Sequence, residues 1–211
     1  MRRLFYCIGK LSNLILHPIL DMISVCVKYL RTGFLGYEIK SIGQNTTISK
    51  GCNIVEGRYI SIGNKCVVGK YATLSCWRRI PSSVPDLVIG NFVSIGEGCH
   101  ITCANKIVIG DCTLLGKYIT ITDNSHGDSV KGQLDIAPIR RPLNSKGPVI
   151  INSKGPVIIG ERVWIGDKVT ILPNVQIGNG AIIGSNSVVS KDIPENCVAV
   201  GNPARIIKII K

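Results

Sequence analysis

The sequence repeats every six residues from Ile159 onward, as Ile159-Gly-Glu-Arg-Val-Trp, Ile165-Gly-Asp-Lys-Val-Thr, Ile171-Leu-Pro-Asn-Val-Gln, Ile177-Gly-Asn-Gly-Ala-Ile and Ile183-Gly-Ser-Asn-Ser-Val. A period of six matches neither the 3.6-residue period of a helix nor the two-residue period of a strand. Each hexapeptide is therefore predicted to form one side of a triangular coil in a solenoid. In this interpretation the aliphatic residue points to the axis, the glycine turns the corner and the small residue packs beneath.

The same period extends back through most of the chain. Aliphatic–glycine pairs that keep it begin at Ile42, Ile62, Ile89 and Ile109, and the phase slips between these blocks by two residues or by a longer insert. An extra loop can leave the corner of a solenoid without disturbing the stacked coils. The two large inserts are therefore where we expect the chemistry.

Composition limits the possibilities further. The chain has 211 residues, 45% hydrophobic but only 5% aromatic, which suits a single repeat domain with an aliphatic core. Its formal charge of +12 predicts an anionic partner, such as a phosphorylated cofactor, a nucleotide-linked sugar, an acidic membrane surface or nucleic acid. Nucleic acid is the least favoured partner, because aromatic residues are not interleaved with the basic ones.

The nine cysteines do not form a recognisable framework. Cys52, Cys66, Cys99 and Cys197 each follow an aliphatic residue by four positions, which predicts small core residues. Cys99 and Cys103 have no second pair to complete a zinc site, and the odd count argues against a disulfide framework. Free thiols predict a cytoplasmic protein.

Residues 1–36 differ from the repeat and are predicted to form one or two helices broken near Pro18. Charged and polar residues interrupt the apolar stretch before it could span a membrane, and no signal-peptide cleavage site is evident. Two interpretations remain open. The segment either caps the first coil or lies as an interfacial helix on an anionic membrane, helped by Arg2, Arg3 and Lys10. The apolar face in question consists of Leu11, Leu14, Ile15, Ile19 and Ile23.

Residues 39–211 resemble the hexapeptide-repeat acyltransferases. The resemblance rests on the hexads, on the segment from Ile121 to Gly127, on Val163-Trp-Ile-Gly166 and on the tail from Val188 to Arg205. It is closest to acetyltransferases that modify sugars of bacterial surface polysaccharides. The resemblance implies an all-β domain over residues 37–211, a left-handed parallel β-helix with a loop insert at 127–156. It also implies a homotrimer that binds acetyl-CoA between neighbouring subunits.

His126 is the predicted catalytic residue, because it ends a hexad directly before the longest interruption of the repeat. Acetyl transfer to a hydroxyl needs a base, and imidazole titrates near neutral pH. Asp123, Asp128 or a backbone carbonyl could orient the imidazole ring. His100, which also ends a hexad, and His17, which precedes a proline, are weaker candidates.

The insert after His126 contains Arg140-Arg141 and an octapeptide, Asn144 to Ile151, that is repeated at once up to Ile159. Only the second copy leads in phase into the next hexads, so the first is predicted to extend a loop. The loop either forms a wall over the acceptor site, with an arginine facing a phosphate or carboxylate, or is a neutral surface excursion. The shorter insert from Trp77 to Asp86 is a second candidate wall of the acceptor pocket, contributed across a subunit boundary.

The family's cofactor contacts carry over by position. The resemblance places Trp164 near the thiol of acetyl-CoA, and Gly166 where the pantetheine arm approaches the coil. It places Ser185, Ser190 and Lys191 along the groove. Arg205, with Lys208, would face the adenosine phosphates. As alternatives, Trp164 is a packing residue and the basic residues are ordinary solvated charges. Asp167 stands where relatives can carry serine.

The leading function is therefore O-acetylation of a sugar hydroxyl by a metal-independent cytoplasmic enzyme, with contact at the inner membrane through the amino-terminal segment left open. N-acetylation of a nucleotide-linked amino sugar uses the same fold, base and donor. A zinc-dependent carbonic anhydrase is disfavoured, since His100 and His126 lack a third histidine within the repeat. A non-catalytic structural solenoid is the remaining alternative.

Overall fold

The computed structural model of the chain describes residues 2–78, 84–125, 135–137, 152–153 and 155–210. These residues form one α-helix, α1 (Arg2–Leu35), one 3₁₀ turn (Gly57–Tyr59), a two-stranded hairpin and three larger sheets whose short strands are parallel except for the last one. We call the sheets faces A, B and C, because the chain passes through them in that order in each coil. The predicted triangular solenoid is therefore present.

The strands of each face stack in order along the solenoid. Face A consists of β1 (Ser41–Ile42), β4 (Ile60–Ile62), β7 (Asp86–Ile89), β10 (Lys106–Ile109), β15 (Val157–Ile159) and β18 (Gln176–Ile177). Face B consists of β2 (Thr47–Ile48), β5 (Val67–Val68), β8 (Ser94–Ile95), β11 (Leu114–Leu115), β16 (Trp164–Ile165), β19 (Ile182–Ile183), β21 (Cys197–Val200) and β22 (Arg205–Ile209). Face C consists of β3 (Asn53–Val55), β6 (Thr73–Cys76), β9 (His100–Cys103), β12 (Thr120–Thr122), β17 (Thr170–Ile171) and β20 (Val188–Val189).

The aliphatic residue of each hexad lies in the core, stacked on its equivalents in the neighbouring coils. On face A, Ile89 pairs with Ile62 and Ile109, and Ile159 pairs with Ile109 and Ile177. All five are buried. The residue four positions later is also buried in most coils, as predicted for Cys66, Cys99 and Cys197, whereas Cys52 is only half-buried. The core is therefore a column of aliphatic layers closed by small side chains.

The corners differ from the prediction that the glycine turns the chain. The left-handed residue is the third after the aliphatic one, and in most corners it is not glycine. The non-glycine residues at the repeat corners have φ between 51° and 61°; they are Asn45, Lys65, Tyr71, Phe92, Cys112, Tyr118, Arg162, Lys168, Asn174, Asn186 and Asn196. The glycine next to the aliphatic residue serves stacking instead. A Cβ on Gly110 would lie 2.5 Å from the carbonyl carbon of Gly160 in the next coil.

Asparagine and aspartate side chains join successive coils at the same corners. The Oδ1 atoms of Asn91, Asp111 and Asn179 each accept a backbone N–H from the preceding coil, at 3.0, 2.8 and 2.8 Å respectively. The backbone and side-chain amides of Asn91 hold the pKa of the Asp111 carboxyl below its usual value. These bonds satisfy amides that the tight turns leave without a strand partner.

All phase slips of the repeat fall at one corner, where the chain turns from face C to face A. We call it the C–A corner. The two-residue slips lie between β3 and β4 and between β9 and β10. The two large inserts lie between β6 and β7 and between β12 and β15, at the same corner. The other two corners keep the period of six, which explains why the coils stack in register despite the inserts.

Helix α1 is continuous, so the prediction of a break near Pro18 is wrong. Pro18 is exposed, and a helix tolerates an exposed proline at the cost of one hydrogen bond and a bend. The carboxyl end of α1 caps the solenoid: Thr32 is buried and its Oγ1 accepts the backbone N–H of Ile48 at 2.8 Å, while Leu35 packs on the core. Among the described residues, no helix combines the length and the apolar content that a bilayer crossing requires.

Two side chains of the predicted capping face of α1 are described, and neither is buried against the coil. Ile19 and Ile23 are 45% and 50% exposed, because the helix turns its polar side to the solenoid. The side chains of Leu11, Leu14 and Ile15 lie outside the described part of the structure.

Candidate active site

Both large inserts leave the solenoid at the C–A corner of the same chain. Trp77 directly follows β6, and the longer insert begins just beyond β12. A single strand, β9, separates these two strands on face C, so the bases of the inserts are about 10 Å apart at about 4.8 Å per strand. The two inserts therefore border one region of a single protomer. The prediction that the shorter insert reaches the pocket across a subunit boundary is not needed to bring them together.

The buried carboxylate of Asp123 fixes the base of the longer insert. Its Oδ1 accepts the backbone N–H of Ala104 at 2.7 Å, and its Oδ2 accepts those of Asn105 and Lys106, both at 2.8 Å. The side-chain amide of Asn124 donates a further bond to Oδ1 at 3.2 Å. The side chain is fully buried. Because each oxygen already accepts at least two bonds, Asp123 is a poor choice for orienting His126, and Asp128 or a backbone carbonyl remains.

A buried thiol lies against the same carboxylate. The Sγ of Cys103 lies 3.6 Å from Oδ2 of Asp123, and Cys103 pairs in register with Cys76 on face C. The hydrogen bond with Cys76, burial and the charge of Asp123 all raise the pKa of the Cys103 thiol. Cys103 is therefore a protonated core residue and not a nucleophile.

A short hairpin closes the neck of the longer insert. Strand β13 (Asn124–Ser125) pairs antiparallel with β14 (Asn152–Ser153), so the chain leaves and returns by two adjacent strands. His126 is the next residue after the neck. His126 lies outside the described residues, as do Asp128, Arg140, Arg141 and the first octapeptide copy at 144–151. The second copy supplies β14 and β15, in keeping with its phase.

The other two histidines lie elsewhere. His100 is the first residue of β9, is exposed, and stands in register between Thr73 and Thr120 on the outer surface of face C. His17 lies on α1, with its Nδ1 2.9 Å from the carboxylate of Asp21. Neither is at the insert, which leaves His126 as the histidine closest in sequence to the neck.

Four of the predicted cofactor residues lie on face B or at its far edge. Trp164 is 53% exposed on β16, between Leu114 and Ile182 of the neighbouring strands. Gly166 and Ser185 follow β16 and β19 at the corner between faces B and C. Arg205 begins β22, the antiparallel strand that closes face B, and its guanidinium donates to the carbonyl of Ala204 at 3.0 Å. The arrangement gives an apolar surface with a cation at one end.

Stacking explains two of the residues near Trp164. A Cβ on Gly166 would lie 2.7 Å from the backbone nitrogen of Ser185, so the next coil already requires glycine there. The Oδ1 of Asp167 accepts the backbone N–H of Lys117 at 2.8 Å, in the manner of Asp111. The carboxylate at 167 is therefore a stacking residue, a role that serine could not fill in the same way because its hydroxyl is one atom shorter.

Ser190 and Lys191 are not on face B. They follow β20 at the C–A corner, where the inserts also leave, and both are exposed. The predicted site residues thus form two groups. The corner group comprises Ser190, Lys191 and the neck that leads to His126, and the face-B group comprises Trp164, Gly166, Ser185 and Arg205. In a triangular coil this corner is opposite face B, so one protomer does not bring the two groups together.

Comparisons with known proteins agree with this architecture. Residues 156–191 match the family model described as bacterial transferase hexapeptide (six repeats). Over 92 residues the chain is 45% identical to the putative lipopolysaccharide biosynthesis O-acetyl transferase WbbJ of Escherichia coli, an alignment that spans 42% of each chain. Over 52 residues it is 54% identical to the putative acetyltransferase YJL218W of Saccharomyces cerevisiae, 25% of this chain and 26% of that one. The chain matches less than half the length of these relatives.

Solved structures match over more of the chain. A variant of AntD, an N-acyltransferase from Bacillus cereus, in complex with dTDP-4-amino-4,6-dideoxyglucose and coenzyme A, superimposes with a TM-score of 0.70 at 25% identity, covering 86% of this chain and 89% of that one. The hexapeptide-repeat acetyltransferase VCA0836 of Vibrio cholerae, complexed with acetyl coenzyme A, gives a TM-score of 0.54 at 21% identity, covering 87% and 78%. These likenesses confirm the resemblance and the left-handed parallel β-helix.

Proposed function

Because this chain has the repeat and the fold of the hexapeptide-repeat acyltransferases, we propose that it is an acetyl-CoA-dependent O-acetyltransferase that acts on a sugar hydroxyl in surface polysaccharide synthesis. The observation that carries the proposal is the 45% identity over 92 residues to a putative lipopolysaccharide O-acetyl transferase. The sequence order at the insert supports it, since the candidate base His126 directly follows β13, and β13 begins next to the hydrogen-bonded Asp123.

N-acetylation of a nucleotide-linked amino sugar is the second candidate. The complex of AntD with a dTDP-linked amino sugar and coenzyme A favours it, because that neighbour spans nearly the whole chain. Both acceptors need a base and a bound thioester. Identity to the O-acetyl transferase is higher, so the hydroxyl acceptor ranks first.

In the proposed reaction, the neutral imidazole of His126 takes the proton of the acceptor hydroxyl as the oxygen attacks the thioester carbonyl. The carbon–sulfur bond then breaks, and the thiolate of coenzyme A receives that proton. A backbone N–H stabilises the negative oxygen of the tetrahedral intermediate. Holding donor and acceptor together supplies much of the rate, and no acyl-enzyme is required.

The enzyme is proposed to be a homotrimer whose site lies between two protomers. A coil side of six residues at about 3.3 Å each is roughly 20 Å long, so the C–A corner lies roughly 15 Å or more from face B of the same chain. His126 is only one residue beyond the neck, and one residue spans at most about 3.6 Å. The corner group of one protomer would therefore work with the face-B group of its neighbour.

Acetyl-CoA would then lie in the groove between those groups. Trp164 offers an exposed apolar ring toward the thiol end, and Ser185, Ser190 and Lys191 offer polar groups along the groove. Arg205 and Lys208, both exposed on β22, would face the phosphates. A cytoplasmic location is part of this proposal, because thiols stay reduced in that compartment.

The test is release of free coenzyme A from acetyl-CoA with two acceptor panels, one of hydroxyl sugars and one of nucleotide-linked amino sugars. We expect turnover with a hydroxyl sugar, and at least a 100-fold lower kcat for His126→Ala, since a general base contributes about 10²–10⁴-fold. His17→Ala is the matched control and should keep wild-type activity. Turnover with amino sugars alone would favour the second candidate. An active His126→Ala enzyme would remove His126 from the mechanism, and no coenzyme A binding would point to a structural solenoid.

A further inference from the structure

Helix α1 presents its polar side to its own solenoid and its apolar side to solvent. The buried Thr32 and the packed Leu35 mark the side that contacts the first coil. At 100° per residue, Leu30 and Phe34 lie on the opposite side, and they are 65% and 76% exposed. A surface helix of a soluble domain has the reverse orientation. A second surface therefore has to cover this side of α1.

The exposed apolar side chains form a continuous stripe. Leu16, Leu20, Ile23, Val27, Leu30 and Phe34 follow one another at spacings of four and three residues, and all are about half exposed or more. Ile19, Met22, Val25 and Tyr29 extend the apolar surface beyond this stripe. Together these ten residues cover more than half of the helix circumference, whereas a coiled-coil seam uses two positions in seven. The width suits a lipid phase better than a second helix.

The groove between α1 and the first two coils is basic. It has a volume of about 340 Å³ and is lined by Ser24, Val27, Lys28, Arg31, Ser49, Lys50 and Lys70. Four of these residues carry a positive charge and none is acidic. None of the four forms an ion pair with an acidic residue of the described ranges.

Arg31 adds an observation that points to an anion. Its Nε is buried and has no hydrogen-bond partner within the part of the chain that the structure describes. A buried guanidinium nitrogen without a partner is costly. Phosphate oxygens bind guanidinium groups strongly, and a rotation of the Arg31 side chain toward the groove would let a lipid phosphate accept this donor.

We propose that α1 lies in the surface of an anionic phospholipid bilayer, with its apolar stripe among the acyl chains and lipid phosphates held by Lys28, Arg31, Lys50 and Lys70. Val27 belongs to both the stripe and the groove, so acyl chain and headgroup would meet side by side there. The chain's charge of +12 strengthens attraction to such a surface. This inference does not depend on the proposed reaction.

Vesicle flotation of the full-length chain tests the proposal. We expect flotation with vesicles of 70% phosphatidylcholine and 30% phosphatidylglycerol, and much less with phosphatidylcholine alone. Lys50→Gln/Lys70→Gln should lower partitioning onto the anionic vesicles at least tenfold. Each basic residue near an anionic surface raises the partition coefficient about fivefold. These two lysines lie on the solenoid, so the change leaves α1 intact. Lys117→Gln/Lys168→Gln removes the same charge far from α1 and should change partitioning little.

A second variant, Leu20→Glu/Leu30→Glu, replaces two exposed side chains and should abolish flotation while acetyl transfer to a soluble acceptor continues. If both double-lysine variants lost flotation equally, net charge alone would explain the binding. That result would contradict a phosphate-binding site at the groove. The proposal would also be overturned if the wild-type chain did not float and the leucine variant showed a changed oligomeric mass in light scattering. The apolar stripe would then be a contact between copies of the chain.

Discussion

Asp123 does more to define the candidate site than any other described residue. It sits immediately before the neck and joins three successive amides of the preceding coil. Because the bonds run to backbone groups 17 to 19 residues earlier, the turn at 104–106 and the start of the insert are held as one unit. The strand that leads into the insert, β13, therefore starts from a fixed point, although the carboxylate of Asp123 has no oxygen left free for another donor.

We predict that Asp123→Asn lowers the free energy of unfolding by about 3 kcal/mol, because the NH₂ group of an asparagine would face two donors: either the backbone N–H of Ala104 with the side-chain amide of Asn124, or the backbone N–H groups of Asn105 and Lys106. Thermal and urea unfolding at fixed protein concentration measure the loss. Asp192→Asn is the matched control, since the exposed Asp192 accepts a single backbone N–H, from Gln176, and should cost less than about 1 kcal/mol. Equal losses in the two variants would show that Asp123 has no special role.

Thiol reactivity gives a second test at this scale. Because the Cys76 hydrogen bond, burial and the Asp123 charge raise the pKa of Cys103, it should carry no thiolate at pH 7 to 9 in the folded chain. Site-resolved mass spectrometry after iodoacetamide treatment should find the exposed Cys112 alkylated in the folded chain, and Cys103 alkylated only after denaturation. Alkylation of folded Cys103 at a rate near that of Cys112 would contradict the packing described for it.

The sequence predicted part of this arrangement. The spacing of Cys66, Cys99 and Cys197 placed them in the core correctly, because their slot is defined within one hexad. The role of Asp123 was not predictable in the same way, since its partners lie on the previous coil and only the stacking register brings them close. The same holds for Asp167, whose partner Lys117 is 50 residues away.

At the scale of the repeat, the glycine beside each aliphatic residue serves the contact between coils. A Cβ on Gly96 would overlap the backbone carbonyl of Gly116. Each corner of the coil thus depends on two separate positions. A glycine allows the next coil to stack closely, and the residue two places later adopts the left-handed conformation that turns the chain. The period of six predicted the coil, but which residue turns the corner could not be read from the frequent glycines.

Gly96→Ala should therefore lower the thermal midpoint strongly, by the equivalent of 2 kcal/mol or more, because backbone atoms of the next coil must move. Gly33→Ala is the control: Gly33 is exposed on α1 with no atom within 4 Å of the added methyl group, so alanine should stabilise by up to about 1 kcal/mol. Opposite signs are expected in parallel unfolding experiments. A stable Gly96→Ala solenoid would disprove the stacking role.

Helix α1 shows which structural features local sequence patterns do not predict. Pro18 predicted a break, yet the helix continues, and Ile19 and Ile23, two of the residues predicted to cap the coil, are about half exposed. Periodicity identified the apolar stripe but not its direction. The direction is set by Thr32 and Leu35, which contact the first coil only once both elements have formed.

At the scale of the molecule, the solenoid separates the predicted site residues onto opposite sides. The family resemblance predicted that these residues line one site. The strand register assigns them to two separate places, the corner group and the face-B group. Sequence alone could not make this division, because the inserts between β6 and β7 and between β12 and β15 hide which face a residue occupies. The division is what makes a site between protomers the central claim.

Mixed oligomers test that claim most directly. Chains carrying His126→Ala and chains carrying Trp164→Ala, each on a different affinity tag, would be co-expressed, purified through both tags and assayed for coenzyme A release. A cyclic trimer of both chains contains one interface with both residues intact, so the account predicts recovery to about one third of wild-type activity, although each variant alone is impaired. Mixed oligomers no more active than the average of the two variants would place the site within a single chain and contradict the account.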